Sequence, residues 1–486
     1  MWIDDTTVAA TFTGLTGYPT EAPYHPPEKY PEYQGTDLNP NNQVYAGVRQ
    51  TLYNLGLDRE NYGTAAWNPF KNIIKPGMTV FIKPNTVRHY HVDGKDILSV
   101  ITHGSVVRPM LDYIRIALKD EGRIIMGDSQ TVWGHYDAAQ ELSGIGPLME
   151  WFAAQTPIPV ENFDLRMVRA VRTYLGGRWK REKVELDPRG YKVVDVGERS
   201  AFKGIDPKKL RIGVASYKET YRRHSEGRHE YIFPASLLES DVIINIPKLK
   251  THRRGGITLA TKGFFGLVSA KECLPHWMLG SPEEGGDQYP KPSMRKRLQT
   301  YFQDQMNATD FVPAQAFHAT LREFFRVSYR MDPNMDNVNE AMWPGNDTLW
   351  RTLLDVYQAV LFSDKDGKLR DTPQRDHFCM IDGIIGGESD GPISPDPVYP
   401  GVLVAGRHPT AIDAVASTLM GFDIQKLPMV HRAIDLVEGL KPTEKGFLNQ
   451  IEVMDDGTVE SLDEFAGKRN LHYKPHPDWV GILERE

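Results

Sequence analysis

Cysteine is nearly missing from this chain: its 486 residues hold two, Cys273 and Cys379. That is too few for a disulfide framework and cannot supply a four-cysteine iron–sulfur cluster. No apolar run reaches the roughly eighteen residues that a membrane-spanning helix needs. The opening MWIDDTTVAATFTG has neither a basic stretch nor an apolar core of the secretory kind, so a cytoplasmic location is expected. A basic excess is also lacking. The net charge of -7 speaks against general nucleic-acid binding, which needs a positive surface to displace counterions. No GxGxxG follows a predicted strand, and Walker A and HExxH patterns do not occur. What remains is an ordinary soluble composition, long enough for one or two sizeable cores.

The most informative stretch is residues 241–266, DVIINIPKLKTHRRGGITLATKGFFG. Val242, Ile243, Ile244 and Ile246 predict a buried strand. A basic loop follows, with Lys248, Lys250, His252, Arg253 and Arg254, and the spacing of Ile257, Ala260, Phe264, Leu267 and Val268 predicts a core-facing helix after Gly255 and Gly256. Lys262 lies off that apolar face. Five basic groups between a strand end and a helix start predict an anion site. The alternative is a solvated loop with snorkelling lysines.

Other strand ends converge on the same expectation. Lys83 and Asn85 end a strand in VFIKPN, as binding residues or as an exposed charge and a turn. A helix with Val107, Met110, Leu111 and Ile114 follows, and His103 and Arg108 sit at its start. Asp128 ends the next strand, as an acid, a metal ligand or an Asx turn. This strand–helix–strand unit predicts parallel pairing. Asp382, Glu388 and Asp390 lie in a Gly-rich segment after a strand at residues 378–381, able to bind a cation, move protons or simply shape a turn. Asp413, on a later helix, could meet the basic loop.

The fold expected is α/β, a mostly parallel, Rossmann-like sheet with helices on both faces and two insertions. Residues 1–40 form an extended N-terminal arm, 41–156 a first α/β part and 157–230 inserted strands and loops. Residues 231–268 carry the central strand, loop and helix with the basic site, and 269–345 an aromatic insertion or cap. A second α/β part spans 346–433 and a C-terminal tail region 434–486. The arm or the aromatic insertion could serve a homo-oligomer.

INIPKLKTH with TKGFFGLV resembles the signature of the DUF362 family of unknown function. VFIKPN, DGIIGGESDGP and VLVAGRHPTAIDAVASTLMG add to the resemblance, which extends over residues 44–433. Many members carry a cysteine-rich ferredoxin-like segment. This chain does not, so no iron–sulfur cluster is implied. A more distant likeness is to lactate racemase, in which a histidine precedes a lysine by ten residues, the lysine carries a nickel-pincer nucleotide and a later histidine ligates nickel. His252 and Lys262 have that spacing, and His276 follows. The likeness implies catalytic roles for Lys262, His252 and His276, with His276 as a metal ligand for nickel or another divalent metal. It also implies a hydroxy-acid-like substrate near His103 and Arg108.

The residues therefore predict an enzyme holding a small anion on Lys83, Lys248, Lys250 and His252, with Lys262 and His252 carrying the chemistry of an isomerase or racemase. A non-catalytic anion-binding scaffold and an oxidoreductase are the alternatives. No nucleic-acid or membrane partner is expected.

Overall fold

The computed structural model describes residues 5–172, 179–184, 186–440 and 444–486. Its centre is a 12-stranded mixed sheet. In chain order the strands are β1 (Val8–Phe12), β2 (Thr79–Pro84), β3 (Arg123–Asp128), β4 (Val160–Asp164), β5 (Val242–Ile246), β6 (Lys248–His252), β7 (Gly256–Thr258), β8 (Asp376–Glu388), β9 (Asp396–Val398), β10 (Val402–Gly406), β11 (Glu452–Asp455) and β12 (Thr458–Ser461). The order across the sheet is β12-β11-β1-β10-β8-β5-β2-β3-β4. The run from β8 to β4 is parallel throughout. β10 then pairs antiparallel with both β8 and β1.

The parallel strands read as unbroken apolar runs because both of their faces are covered. Alternate side chains go to opposite cores, as a period of two requires. Val80, Ile82, Ile124, Met126, Val242 and Ile244 pack against Val107, Met110, Leu111 and Ile114 of the helix Gly104–Leu118. Phe81, Ile125 and Ile243 share the other core with Phe264, Leu267, Tyr357 and Val415.

The N-terminal arm is folded into its own chain: β1 lies between β10 and β11, and Arg49 pairs with Glu32 at 2.6 Å. β4, in the stretch assigned to the first insertion, is the edge strand of the main sheet. Beyond it, Tyr191–Asp195, Arg228–Pro234 and His224–Ser225 form a small antiparallel sheet. The aromatic insertion contains two packed helices, α1 (Met294–Asn307) and α2 (Val312–Arg330), with Phe302 and Phe325 stacked at 5.7 Å. α2 exposes Phe317 and Phe324, and Met331 just past its end is exposed as well.

The basic segment differs from the expected loop and helix. Lys248–His252 is a strand, paired parallel to β8 and antiparallel to β7. Only one helical turn, Ala260–Gly263, follows, and it runs into a 3-10 turn at Phe264–Leu267. Its first amides are taken by Asp413, which accepts from the N–H groups of Ala260 at 2.7 Å and Thr261 at 3.1 Å. An anion site on that helix start is thereby excluded, because the buried carboxylate already satisfies it. Burial pushes the Asp413 carboxyl up to about 7.

Candidate functional site

Beyond the carboxyl ends of β2 and β3 lies a cavity of about 790 Å³. The 248–258 hairpin and the turns after it form one wall. Gln303, Met306 and Asn307 of α1, with Gln315, Ala319 and Arg322 of α2, also line the cavity. Eight lysines and arginines but three carboxylates line it, so its field is positive.

Of the residues singled out in the sequence, Lys83, Asn85, Asp128, Lys250, His252, Lys262 and His276 line this cavity. Lys83 and Asp128 form a buried pair at 3.0 Å, and Asp128 also accepts from the Thr86 N–H at 2.8 Å and hydroxyl at 2.9 Å. Gly266 presses against this pair: a methyl group on it would stand 2.2 Å from Asp128 Oδ1 and 2.6 Å from Lys83 Cε. Gly266→Ala is therefore expected to separate the two side chains at a cost of about 1–3 kcal/mol. A lower melting temperature checks this; an unchanged one would mean that the contact yields freely.

The lysines of the cavity differ in what holds them. Lys83 donates to the Pro84 carbonyl at 2.7 Å as well as pairing with Asp128. Lys250 donates to the carbonyls of Val100 and Pro392 at 2.6 and 3.1 Å. Lys271 donates to the carbonyl and hydroxyl of Ser129 at 2.8 and 2.7 Å. Lys262 makes no hydrogen bond or ion pair among the described residues; its ammonium sits 3.7 Å from the centre of the Phe265 ring. Burial, with Lys271, Lys83 and Arg254 nearby, brings Lys262 down to about 7.

The two histidines are fixed in opposite tautomers. His252 Nδ1 accepts from the N–H groups of Arg254 and Gly255 at 3.1 and 3.2 Å, so the proton is on Nε2. His276 Nδ1 is 2.7 Å from the Leu274 carbonyl and must donate to it, leaving the Nε2 lone pair available. Burial first, then the neighbouring cations Lys262 and Arg254, hold both rings well below the usual histidine range, so both are neutral near pH 7.

The other candidates are outside the cavity lining and serve the fold. Lys248 and Asp382 pair at 3.0 Å, both fully buried, and Tyr18 donates to Asp382 at 2.6 Å. His103 stacks on Tyr18 at 4.2 Å and caps its helix through Ser105, while its N–H donates to Asp382. Arg108 is occupied by Asp112, the Pro23 carbonyl and Tyr33. Glu388 accepts from the Lys474 N–H at 2.9 Å, and Asp390 lies 3.6 Å from Arg253 and 3.3 Å from His476. These six residues thus lie apart from the cavity lining, engaged largely by their own chain.

Sequence reasoning missed Arg88, Lys271 and Trp277 in the lining. Arg88 follows VFIKPN by three residues and Lys271 follows Lys262 by nine, so both lay beside motifs already marked. No group of three or more His, Cys, Asp or Glu among the described residues is arranged to hold a metal ion. His276 has no such companions, and the lysines around it repel a cation, so these residues do not form a metal site of their own. Cys273 and Cys379 are both free and buried.

Residues 203–418 match the family described as Domain of unknown function (DUF362). The chain carries a DUF362 domain. That match takes in Lys250, His252, Lys262, Lys271 and His276, whereas Lys83, Arg88 and Asp128 come from the chain before it. The cavity is thus built jointly by the DUF362 domain and the preceding β2 and β3. No curated protein and no solved structure matches the chain, and the likeness to lactate racemase gains no support. No helix among the described residues is long and apolar enough to cross a membrane.

Proposed function

We propose that this protein is an enzyme that binds an organic anion in the lysine-lined cavity and isomerises it by proton transfer through Lys262. The observation that carries this reading is the contrast among the lysines. Lys83, Lys250 and Lys271 are committed to acceptors, while Lys262 is held without one beside an aromatic face. An amine that is half neutral near pH 7 can take a proton from carbon and return it, which is the property a general base requires. The Nε2–H of His252 and the N–H groups that Lys83 and Lys250 do not give to their own chain supply donors for the charge that develops on substrate oxygen. The Nε2 lone pair of His276 offers a second acceptor.

Competitive labelling of amines across a pH series, read peptide by peptide in a mass spectrometer, tests the premise without knowledge of the substrate. Lys262 is expected to reach half its reactivity near pH 7, far below a surface lysine at roughly 10.4. A half-point close to the surface value would end the proposal.

A second reading, an anion-binding scaffold, is favoured by one observation: Phe317 and Phe324 of α2 and Met331 just past its end are exposed, as on a partner-binding surface. It requires no titrating lysine, so the same experiment separates the two.

A further inference from the structure

The cavity contains a second positive centre that the proton-transfer reading does not use. Arg88 is 6 % exposed, and no carboxylate among the described residues pairs with it. Its guanidinium lies over the Tyr90 ring at 4.7 Å, and its Nε is buried without a hydrogen-bond partner. A buried, unpaired guanidinium is costly unless an anion joins it, and its planar fork suits a carboxylate or phosphate held by two hydrogen bonds. Arg88, on the loop after β2, has Arg253 as its neighbouring cation, and both line the cavity that Lys83, Lys250 and Lys262 also line, so the chamber holds a guanidinium besides its lysine cluster.

The rest of the lining agrees with a ligand larger than a simple hydroxy acid. A volume of about 790 Å³ is that of a site for a drug-sized molecule. Val132, Ile212, Val214, Leu274 and Met306 supply apolar surface along its walls. Trp277, 2 % exposed, and Thr258, 5 % exposed, also line the chamber and hold a buried indole N–H and hydroxyl with no partner.

We infer that the ligand is an organic dianion with an apolar middle, one acidic group received by Arg88 and the other by the cluster around Lys83, Lys250 and Lys262. This rests on the anion-binding part of the proposed function and adds the second acidic group. A one-carboxylate substrate leaves Arg88 unpaired in a buried position; a two-ended one satisfies both centres and sets its apolar middle against the apolar part of the lining.

Isothermal titration tests it with α,ω-dicarboxylates from succinate to sebacate, monocarboxylates of matching length, and an ω-phosphonocarboxylate series. In the unaltered protein, one chain length of a two-ended series is expected to bind at least about tenfold more tightly than its monocarboxylate, a difference of about 1.4 kcal/mol. The better of the two series identifies the second group as carboxylate or phosphate. In Arg88→Gln that ratio is expected to fall to near one. Arg88→Lys, which keeps the charge but not the fork, is expected to retain part of it, and its far-ultraviolet dichroism guards against misfolding. A ratio near one in the unaltered protein, with measurable monocarboxylate binding, overturns the dianion inference alone. A ratio that survives Arg88→Gln overturns the role of Arg88. Absence of binding by every compound overturns the anion reading beneath it as well.

Discussion

Replacing Asp382 with alanine is expected to destabilise the protein by about 3–5 kcal/mol, the cost of removing one partner of a buried ion pair. Lys248 and Asp382 are both at zero side-chain exposure, with 3.0 Å between Nζ and Oδ2. Burial pulls the Lys248 ammonium down, a shift opposed by Asp382. Without it the ammonium has the Tyr18 hydroxyl at 2.5 Å, and Tyr18 itself loses the acceptor of its proton. The backbone N–H of His103, 3.1 Å from Asp382, is also left unpaired. The pair thus ties three distant segments together: the arm through Tyr18, the entry to the helix Gly104–Leu118, and the junction of β5 with β6. Lys248→Met combined with Asp382→Leu is expected to recover most of the loss, because the double variant buries no lone charge. Urea unfolding of the two variants decides this. A single variant within about 1 kcal/mol of the unaltered protein would show that the cluster contributes little.

The same residues show why part of the site was illegible in sequence. Residues 378–381 read as a strand, and the glycines after them as a turn carrying Asp382, Glu388 and Asp390. The strand in fact runs to Glu388. Its glycines make room for neighbours: a methyl group on Gly386 would stand 2.1 Å from the Tyr473 hydroxyl. Glycine for close approach and glycine for a turn look alike in a single sequence. The 248–252 segment failed for a related reason. Its polar, Pro-led sequence has no apolar alternation, and it is extended because β7 and β8 pair with it, a contact more than a hundred residues away in the case of β8. Local propensity gives way to such pairing. By contrast, β2, β3 and β5 were legible because their burial on both faces writes itself as runs of Val, Ile and Phe. Their carboxyl ends then marked Lys83, Asn85 and Asp128, which do line the cavity. Arg88 and Lys271 carried no pattern of their own; only proximity to those ends could have drawn attention to them.

Lys262→Met is expected to lower turnover of the natural substrate by about 10²–10⁴, the usual contribution of a positioned acid–base group. Methionine keeps the length and most of the apolar stem against Phe265, so the wall should hold its shape. Protein stability is expected to move in the other direction. A lysine brought down to about 7 on folding adds stability that is present above its unfolded value of roughly 10.4 and is lost as pH falls through 7. Removing it should therefore raise stability near pH 7, where that contribution has largely gone. A variant that is inactive yet at least as stable points to a group kept for chemistry rather than for the fold. The pH profile supplies the sign: if the neutral amine is the base, the rate constant for free enzyme and free substrate rises with pH through about 7 and then levels. Lys262→Arg, charged throughout, should show no such rise. Activity within about twofold of the unaltered protein in Lys262→Met, or a profile that falls across the same range, would remove Lys262 from the reaction.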